Sequence, residues 1–244
     1  AGCRIADNEI DIDELVELNA GRQRRVIFNN DGDEAWFTDA PATAEGFLSV
    51  RMDHIGHCGI DSVFFCNTHS FNLFTHDSEI SEVFTDQTGQ FRNNRTAALI
   101  EQGTDTLKLA IEACRKRDIE IFWSLRMNDI HDAWTPQFRP RWKQNDPTRI
   151  MSTLEQSKDF QDRRRLWSLV DFEHPDVQPR LLEIIEEVLI QYDIDGLELD
   201  FLRAPFYFRS TYEGNAASDQ QIGVLTKLMR AIRQLVLRES RRQG

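Results

Sequence analysis

The sequence predicts an α/β fold of the (β/α)8, or TIM-barrel, type, with about four strand–helix units, the amino-terminal half to two-thirds of a barrel. Strand-like apolar runs alternate with helix-like segments along the chain, which indicates a parallel sheet with right-handed crossovers. The segments that follow the second, third and fourth strands are long, whereas the connections from helices back into strands are short. Active sites in such folds lie at the carboxyl ends of the strands. The long segments that follow the strands therefore predict an active face.

Each predicted element depends on a local pattern and on the residues that bound it. The strands are the apolar runs at 25–30, 61–67, 120–128 and 196–201, with a short extended piece at 166–172. The helices are the segments at about 43–58, 104–117, 175–192 and 218–241. Gly59 is the expected C-cap of the first helix, and Thr104 the expected N-cap of the second. The segments 68–103 and 129–164 are predicted to be irregular loops.

The sequence predicts one main domain. Residues 1–23 are polar and acidic and are predicted to be a lead-in segment, and residues 24–244 to form the barrel-type domain. A complete eight-fold barrel takes about 250 residues with short loops. Because many residues of this chain lie in loops, we expect a barrel truncated at its C-terminus. The chain would then be either a fragment or a protein whose open edges are covered by a partner such as a second copy. The alternative is a complete sheet with further strands in the long loops.

Composition excludes several classes of function. The formal net charge of −12 disfavours a nucleic-acid partner, because a polyanion is repelled by such a field. No run of about 18 apolar residues occurs, so no membrane span is predicted. The four cysteines show no CxxC spacing, which argues against a zinc or thioredoxin-like site. The opening Ala-Gly-Cys matches the end of a lipoprotein signal; this favours a secreted, periplasmic or lipid-anchored location over the cytoplasm but leaves the compartment undecided.

Two carboxylates, Glu198 and Asp200, share one face of the fourth strand. Side chains alternate along a strand, so the apolar residues at 197, 199 and 201 face the helices and the two acids face the barrel interior. Burying two carboxylates there costs free energy unless they are ion-paired, hydrated or part of a functional site. We therefore predict both as catalytic residues, with Asp200, nearest the carboxyl end, in the main role and Glu198 more of a supporting group. The alternative is an ion pair with Arg126 on the third strand.

Polar side chains on the third strand and at the other strand ends predict a substrate-binding cavity beside these acids. Arg126 can hold an anionic substrate group bidentately or orient Glu198, and Asn128 is placed to bind a sugar hydroxyl. Asn and Asp are also common in turns, and aromatic residues of the loops can pack on the loops themselves. The predicted substrate-binding residues are Asn30, Asp31, Asn67, His69, Arg126, Asn128, Trp134 and Arg203.

No metal or other cofactor is predicted. His131 lies between Asp129 and Asp132, but this spacing matches no established ligand pattern, and a solvated loop explains it as well. A metal-dependent hydrolase that uses Asp31, His69, Asp129 or His131 is kept as an alternative function.

One stretch resembles a known family. The segments Leu166-Trp-Ser-Leu-Val-Asp-Phe-Glu-His-Pro175 and Tyr192-Asp-Ile-Asp-Gly-Leu-Glu-Leu-Asp-Phe-Leu-Arg203, with a helix between them, resemble the glycosyl hydrolase-like 10 group of bacterial (β/α)-barrel proteins. This group is related in a broad sense to the α-galactosidase and α-amylase barrels. The resemblance covers about 24–240 and is specific only over 166–203. It implies hydrolysis of a poly- or oligosaccharide, with Asp200 as nucleophile or base and the partner acid on the second half of the barrel.

The stretch around Asp200 is also similar to the chitinase signature DGxDxDxE. Leu202 stands where the chitinase acid is expected, so substrate-assisted chitinase chemistry is not predicted. The alternative to a glycoside hydrolase, besides the metal-dependent hydrolase, is a non-catalytic carbohydrate-binding or scaffold protein built on part of a barrel.

Overall fold

Residues 21–159 and 166–243 are described by a computed structural model, and the predicted lead-in segment at 1–23 lies almost entirely outside them. The strands are β1 (Ile27–Asn30), β2 (Ser62–Phe65), β3 (Thr68–Ser70), β4 (Leu73–Phe74), β5 (Glu82–Val83), β6 (Glu120–Arg126) and β7 (Gly196–Asp200). The helices are α1 (Ala44–Val50), α2 (Thr96–Glu101), α3 (Thr106–Arg115), α4 (Arg141–Asn145), α5 (Val177–Gln191), α6 (Arg209–Tyr212) and α7 (Asp219–Gln243). None of the helices in these ranges has the length and apolar character needed to cross a membrane.

The four longer strands form one parallel sheet in the order β1-β2-β6-β7. They coincide with the four apolar runs of the sequence. Helix α1 lies between β1 and β2 in the chain, α3 between β2 and β6, and α5 between β6 and β7, which confirms the predicted α/β fold with a parallel sheet. Over the described residues this sheet is open, with β1 and β7 at its edges, so barrel closure is not seen there.

One face of the sheet forms the core, because apolar side chains alternate along each strand. Val63, Phe65, Ile121 and Trp123 are fully buried on this face. They pack in one cluster with apolar residues of α3, α5 and α7, and α7 lies against α5. The apolar residues of β7 at positions 197 and 199 pack against the same cluster, which leaves the β7 acids on the opposite face.

The opposite face of the sheet, which would line a barrel, is only partly buried. The rings of Phe64 and Phe122 lie side by side, with centroids 4.8 Å apart. The guanidinium of Arg24 covers Phe122 at 5.3 Å from its centroid and donates hydrogen bonds of 2.7 and 2.8 Å to Glu120. This end of the face therefore combines two aromatic rings with a buried glutamate that pairs with both Arg22 and Arg24, whereas the other end carries the predicted catalytic carboxylates.

A second, three-stranded sheet lies in segment 68–103, for which the sequence predicts an irregular loop. Its order is β3-β4-β5. The strands are only two or three residues long, too short for a period-two pattern to be recognised. Leu73, Phe84, Phe91 and Phe138 form a second buried apolar cluster, which joins this segment to the loop that follows β6.

Three boundaries differ from the predicted ones. Asp105, rather than Thr104, caps α3: its side chain accepts hydrogen bonds of 2.9 Å from the N–H groups of residues 107 and 108. The predicted first helix consists of α1 and a 3-10 turn at Met52–His57, after which Gly59 has the positive φ of +63° expected of a C-cap. The predicted extended piece at 166–172 is irregular and makes an isolated bridge between Ile150 and Val170.

Gly196 gives a direct test of the packing on the open face. A Cβ atom at this position would collide with the ring of Phe122, which already packs against Phe64. We expect Gly196→Ala to lower the free energy of unfolding by about 1–3 kcal/mol, as measured by urea denaturation. Gly223→Ala is the control: it lies inside α7 with open space around its Cα, so it should stabilise by up to about 1 kcal/mol. Equal changes in the free energy of unfolding for the two variants would contradict the close packing of Gly196 against Phe122.

Candidate active site at the carboxyl edge of the sheet

The ends of β6 and β7 bring the main candidate residues together. The two strands pair in register, with Arg126 opposite Asp200 and Ser124 opposite Glu198. The N–H of Met127 donates a 3.0 Å hydrogen bond to the carbonyl of Asp200, so the pairing extends to the end of both strands. Because strand ends are rigid, the side chains at this edge are held in fixed positions.

Asp200 is oriented by its own loop. Its Oδ1 accepts hydrogen bonds from the N–H groups of Leu202, at 2.8 Å, and Arg203, at 3.0 Å. The salt bridges that Arg126 makes within the described residues go to other acids, so the ion pair considered as an alternative role for Asp200 is not formed. Two amides on one oxygen fix the carboxylate and leave Oδ2 without a hydrogen bond in the described part of the chain.

Glu198 lies on the same face of β7, two residues before Asp200 and farther from the carboxyl edge. It is partly buried, and its Oε2 is enclosed without a hydrogen-bond partner among the described residues. An enclosed carboxylate oxygen is costly when it stays unpaired. Glu198 therefore has capacity to bind a further donor on this face, and Arg126 does not supply that donor.

Arg126 is the centre of an ion-pair network. Its side chain is 5% exposed and pairs with Asp31 and with the fully buried Asp129. Its Nη1 also donates a 3.0 Å hydrogen bond to the carbonyl of Thr68. The guanidinium thus connects the residues that follow β1 and β6 to the first residue of β3, and its donors are largely used by the protein itself.

Asp31 enters this network through a turn that requires glycine. The next residue, Gly32, has φ of +66°, and a Cβ there would collide with the carbonyl of Cys66. The left-handed conformation and the close approach both exclude a side chain. The turn places Asp31 at the surface, where it is 60% exposed and still pairs with Arg126.

Asp129 and His131 form a second part of the site. Asp129 Oδ1 lies 2.6 Å from His131 Nδ1 and accepts the N–H of His131 at 2.8 Å. Burial acts to raise the pKa of Asp129, but the hydrogen bond from His131 and the charges of His131 and Arg126 outweigh it and hold that pKa below its usual range. On the other side of the ring, Arg203 Nη2 lies 3.0 Å from His131 Nε2. The sequence indicated Asp129 and His131 only as residues of the metal-dependent alternative, not as a hydrogen-bonded pair.

The loop that carries His131 is fixed by a buried ion pair. Lys143 Nζ lies 3.2 and 3.3 Å from the carboxylate oxygens of Asp132 and 3.0 Å from Ser70 Oγ. Both charged side chains are buried. Burial raises the pKa of Asp132, although Lys143 opposes the shift. The loop is therefore anchored to the small sheet on one side of the site.

Trp134 lies at the outer side of this loop. Its side chain is 48% exposed, and its ring is edge-on to His131 with centroids 6.0 Å apart. An exposed aromatic ring beside polar groups is suited to stacking on a flat apolar ligand face. Of the predicted substrate-binding residues, the structure thus brings Asp31, Arg126, Trp134 and Arg203 to the carboxyl edge next to Asp200.

Three other predicted residues are buried and bonded within the protein. Asn30 contacts Glu34 and Arg51 with its side chain. Asn67 accepts from the indole of Trp123 at 2.9 Å. Asn128 uses both ends of its amide on main-chain groups of Val170 and Phe206. These amides connect loops to strand ends and present no group to a ligand.

His69 is part of an aromatic cluster rather than an open cavity. Its ring stacks on Phe138 with centroids 5.2 Å apart, and its Nε2 accepts a 3.2 Å hydrogen bond from the indole of Trp36. Burial lowers its pKa to about 3. Burial also lowers the pKa of the fully buried His76 to about 3. Both imidazoles are therefore neutral near pH 7.

These histidines predict a loss of stability in mild acid. Because the folded-state pKa values lie below the unfolded value of 6.5, the unfolded chain binds protons first as the pH falls. The contribution of each histidine to the free energy of unfolding is fully present above about pH 6.5 and is lost as the pH falls towards 3. Between pH 7 and pH 5 the loss is about 2 kcal/mol per histidine. In urea denaturation at these two pH values, His69→Gln should remove about half of the difference, and the exposed control His57→Gln none.

Among the residues that the structure describes, no ligand set supports the metal-dependent alternative. In the described ranges, the three-residue group that could hold an ion is Asp146, His174 and Asp176, none of which the alternative uses. Arg149 already pairs with Asp176, and the Nδ1 of His174 accepts the N–H of Asp176. His69, one of the residues the alternative requires, is occupied in the aromatic cluster.

Comparisons with known proteins show a likeness of fold. No family model and no curated protein match the chain. Its structure is similar to alpha-L-fucosidase isoenzyme 2 from Paenibacillus thiaminolyticus, with a TM-score of 0.50 and 12% identity, over 88% of this chain and 30% of that chain. It also matches a maltogenic alpha-amylase from Thermotoga neapolitana, with a TM-score of 0.40 and 10% identity, over 72% of this chain and 38% of that chain. The chain thus spans about a third of the length of these proteins.

Proposed function

We propose that this chain carries the catalytic face of a glycoside hydrolase of the (β/α)-barrel type, acting on a poly- or oligosaccharide with Asp200 as the nucleophile. The observation that carries the proposal is the carboxylate of Asp200 at the carboxyl end of β7, with Oδ1 held by two backbone amides. Retaining glycosidases need a carboxylate fixed beside the anomeric carbon to act as the nucleophile. The fold likeness to an alpha-L-fucosidase supports the same reading.

The surroundings of Asp200 also support a carbohydrate as the substrate. The edge combines an exposed indole, that of Trp134, with hydrogen-bonding groups of Asp31, His131 and Arg203. Sugars present both apolar ring faces and hydroxyl groups, so this mixture suits them. The net charge of −12 favours a neutral sugar over an anionic one.

We also propose that further strand–helix units, or a second copy of the chain, cover the two open edges of the sheet. The partly exposed rings of Phe64 and Phe122 and the enclosed Glu198 oxygen lie on the face that a completed barrel would close. Unpaired strand edges are otherwise a risk for aggregation. The activity is therefore to be sought in the full natural polypeptide.

The test of the proposed function separates hydrolysis from binding. The full natural polypeptide is incubated with a panel of 4-nitrophenyl glycosides and with the matching oligosaccharides, and sugar binding is measured in parallel by calorimetry. We expect nitrophenol release from at least one glycoside. Binding without turnover would instead support the alternative, a non-catalytic carbohydrate-binding protein, and absence of both would reject the carbohydrate role.

A further inference from the structure

The imidazole of His131 is held at both of its nitrogens. Nδ1 lies 2.6 Å from Asp129 Oδ1, and Nε2 lies 3.0 Å from Arg203 Nη2. A guanidinium has no acceptor, so Arg203 donates and Nε2 must accept. The proton of the neutral ring is then on Nδ1, where it is donated to Asp129. The two contacts therefore select a single tautomer.

Asp129 is suited to hold this tautomer. It is fully buried, and its carboxylate accepts the N–H of His131 at 2.8 Å in addition to the imidazole, while Arg126 lies 3.4 Å from its other oxygen. Each of these contacts favours the anion over the acid. A buried carboxylate that is fixed on both oxygens can orient an imidazole and stabilise its protonated form.

The other side of the ring faces the carboxyl edge of the sheet. The His131 side chain is 21% exposed, and the side chain of Arg203 on Nε2 is itself exposed. Arg203 also links the imidazole to Asp200, because its backbone N–H binds Asp200 Oδ1 at 3.0 Å. His131 and Asp200 therefore border the same part of the edge, from neighbouring strands.

We propose that His131, positioned by Asp129, is the acid–base residue that works with Asp200. The inference rests on the proposed function and deepens it, because the family resemblance implies that the partner of Asp200 lies outside these residues. A neutral imidazole with its lone pair on Nε2 can accept a proton, and the protonated ring can return it. Arg203 leaves Nε2 when that nitrogen binds a proton or a hydroxyl, since its exposed side chain can turn to solvent.

The chemistry balances over two steps. In the first, Asp200 Oδ2 forms a bond to the anomeric carbon, the glycosidic C–O bond breaks, and protonated His131 gives its Nε2 proton to the leaving oxygen. In the second, neutral His131 takes a proton from water as the water oxygen bonds to the anomeric carbon. The bond from that carbon to Asp200 breaks, and its electrons return to the carboxylate.

The kinetic test uses His131→Gln in the full natural polypeptide, with the glycoside that the panel identifies. Glutamine keeps a polar atom near the Nε2 position but transfers no proton, so kcat should fall by about 10²–10⁴-fold. With a dinitrophenyl glycoside, whose leaving group needs no acid, added azide should restore turnover and give a glycosyl azide of retained configuration. The exposed control His57→Gln should keep the wild-type kcat, and thermal melting checks that both variants fold.

The outcomes separate the inference from the proposed function. Wild-type kcat in His131→Gln, together with an inactive Asp200→Asn variant, would overturn the inference alone. An active Asp200→Asn variant would overturn the proposed function and the inference with it.

A spectroscopic measurement tests the role of Asp129 without any substrate. Imidazole 15N NMR of the wild type, at a pH high enough for the ring to be neutral, should show His131 protonated at Nδ1 and unprotonated at Nε2. Asp129→Asn should weaken the Nδ1–H hydrogen bond, seen as an upfield shift of that proton. A neutral ring with its proton on Nε2 in the wild-type protein, or an unchanged Nδ1–H chemical shift in Asp129→Asn, would overturn the positioning role and with it the inference.

Discussion

Asp200→Asn is expected to lower kcat on the identified glycoside by about 10⁴-fold or more in the full natural polypeptide. The amide oxygen of asparagine can still accept the N–H groups of Leu202 and Arg203, so the loop should keep its conformation. A neutral amide, however, forms no glycosyl ester and abstracts no proton. The free energy of unfolding should therefore change by no more than about 0.5 kcal/mol.

Asp118→Asn is the matched control for this prediction. Asp118 is exposed and precedes β6, at the opposite end of the strand from the site. Its φ of +54° lies in the left-handed region, which asparagine also tolerates well. Both stability and kcat should be unchanged. If the two variants had the same activity, Asp200 would not be the catalytic carboxylate.

Arg126→Leu is expected to cost about 3–5 kcal/mol of folding stability, measured by urea denaturation near pH 7. The change leaves Asp129 buried without its cationic partner and leaves the carbonyl of Thr68 without its donor. A fully buried carboxylate that keeps only its contacts with His131 is costly, because its charge remains out of water. Adding Asp129→Asn to Arg126→Leu should recover part of the loss, because the double variant no longer buries the charge.

Arg115→Leu provides the comparison for a surface ion pair. Arg115 binds Asp193 and Asp195 at the other end of the sheet, where its side chain is well exposed. Solvent screens such pairs, so the loss should be about 1 kcal/mol or less. Losses of similar size in the two arginine variants would show that the Arg126 network has no special stabilising role.

The main sheet could be predicted because each of its strands is an apolar run bounded by polar residues. Alternation within the fourth run also separated the core-facing side chains from Glu198 and Asp200 before any contact was known. The small sheet could not be predicted in this way, since its strands are two or three residues long and its stability comes from the aromatic cluster around Phe138.

The contacts between the site residues could not be predicted from the sequence for a different reason. Arg126 meets Asp31 across 95 positions of the chain, and no local pattern tells which of several inward acids an arginine binds. Asn67 and His69 lie within four residues of the end of β2, and Asp31 follows β1, yet aromatic neighbours bury the first two. The Asp129–His131 pair did carry a local signal, an aspartate two residues before a histidine at the end of a strand, but a solvated loop explains the same spacing as well.

The most direct test of the central claim is to trap the glycosyl intermediate. A 2-fluoro derivative of the identified sugar, carrying a good leaving group, is incubated with the full natural polypeptide, and the digested protein is analysed by tandem mass spectrometry. The account predicts one covalent sugar, attached to the carboxylate of Asp200. A sugar attached to any other carboxylate, or turnover of the substrate with no covalent sugar on the protein, would contradict it.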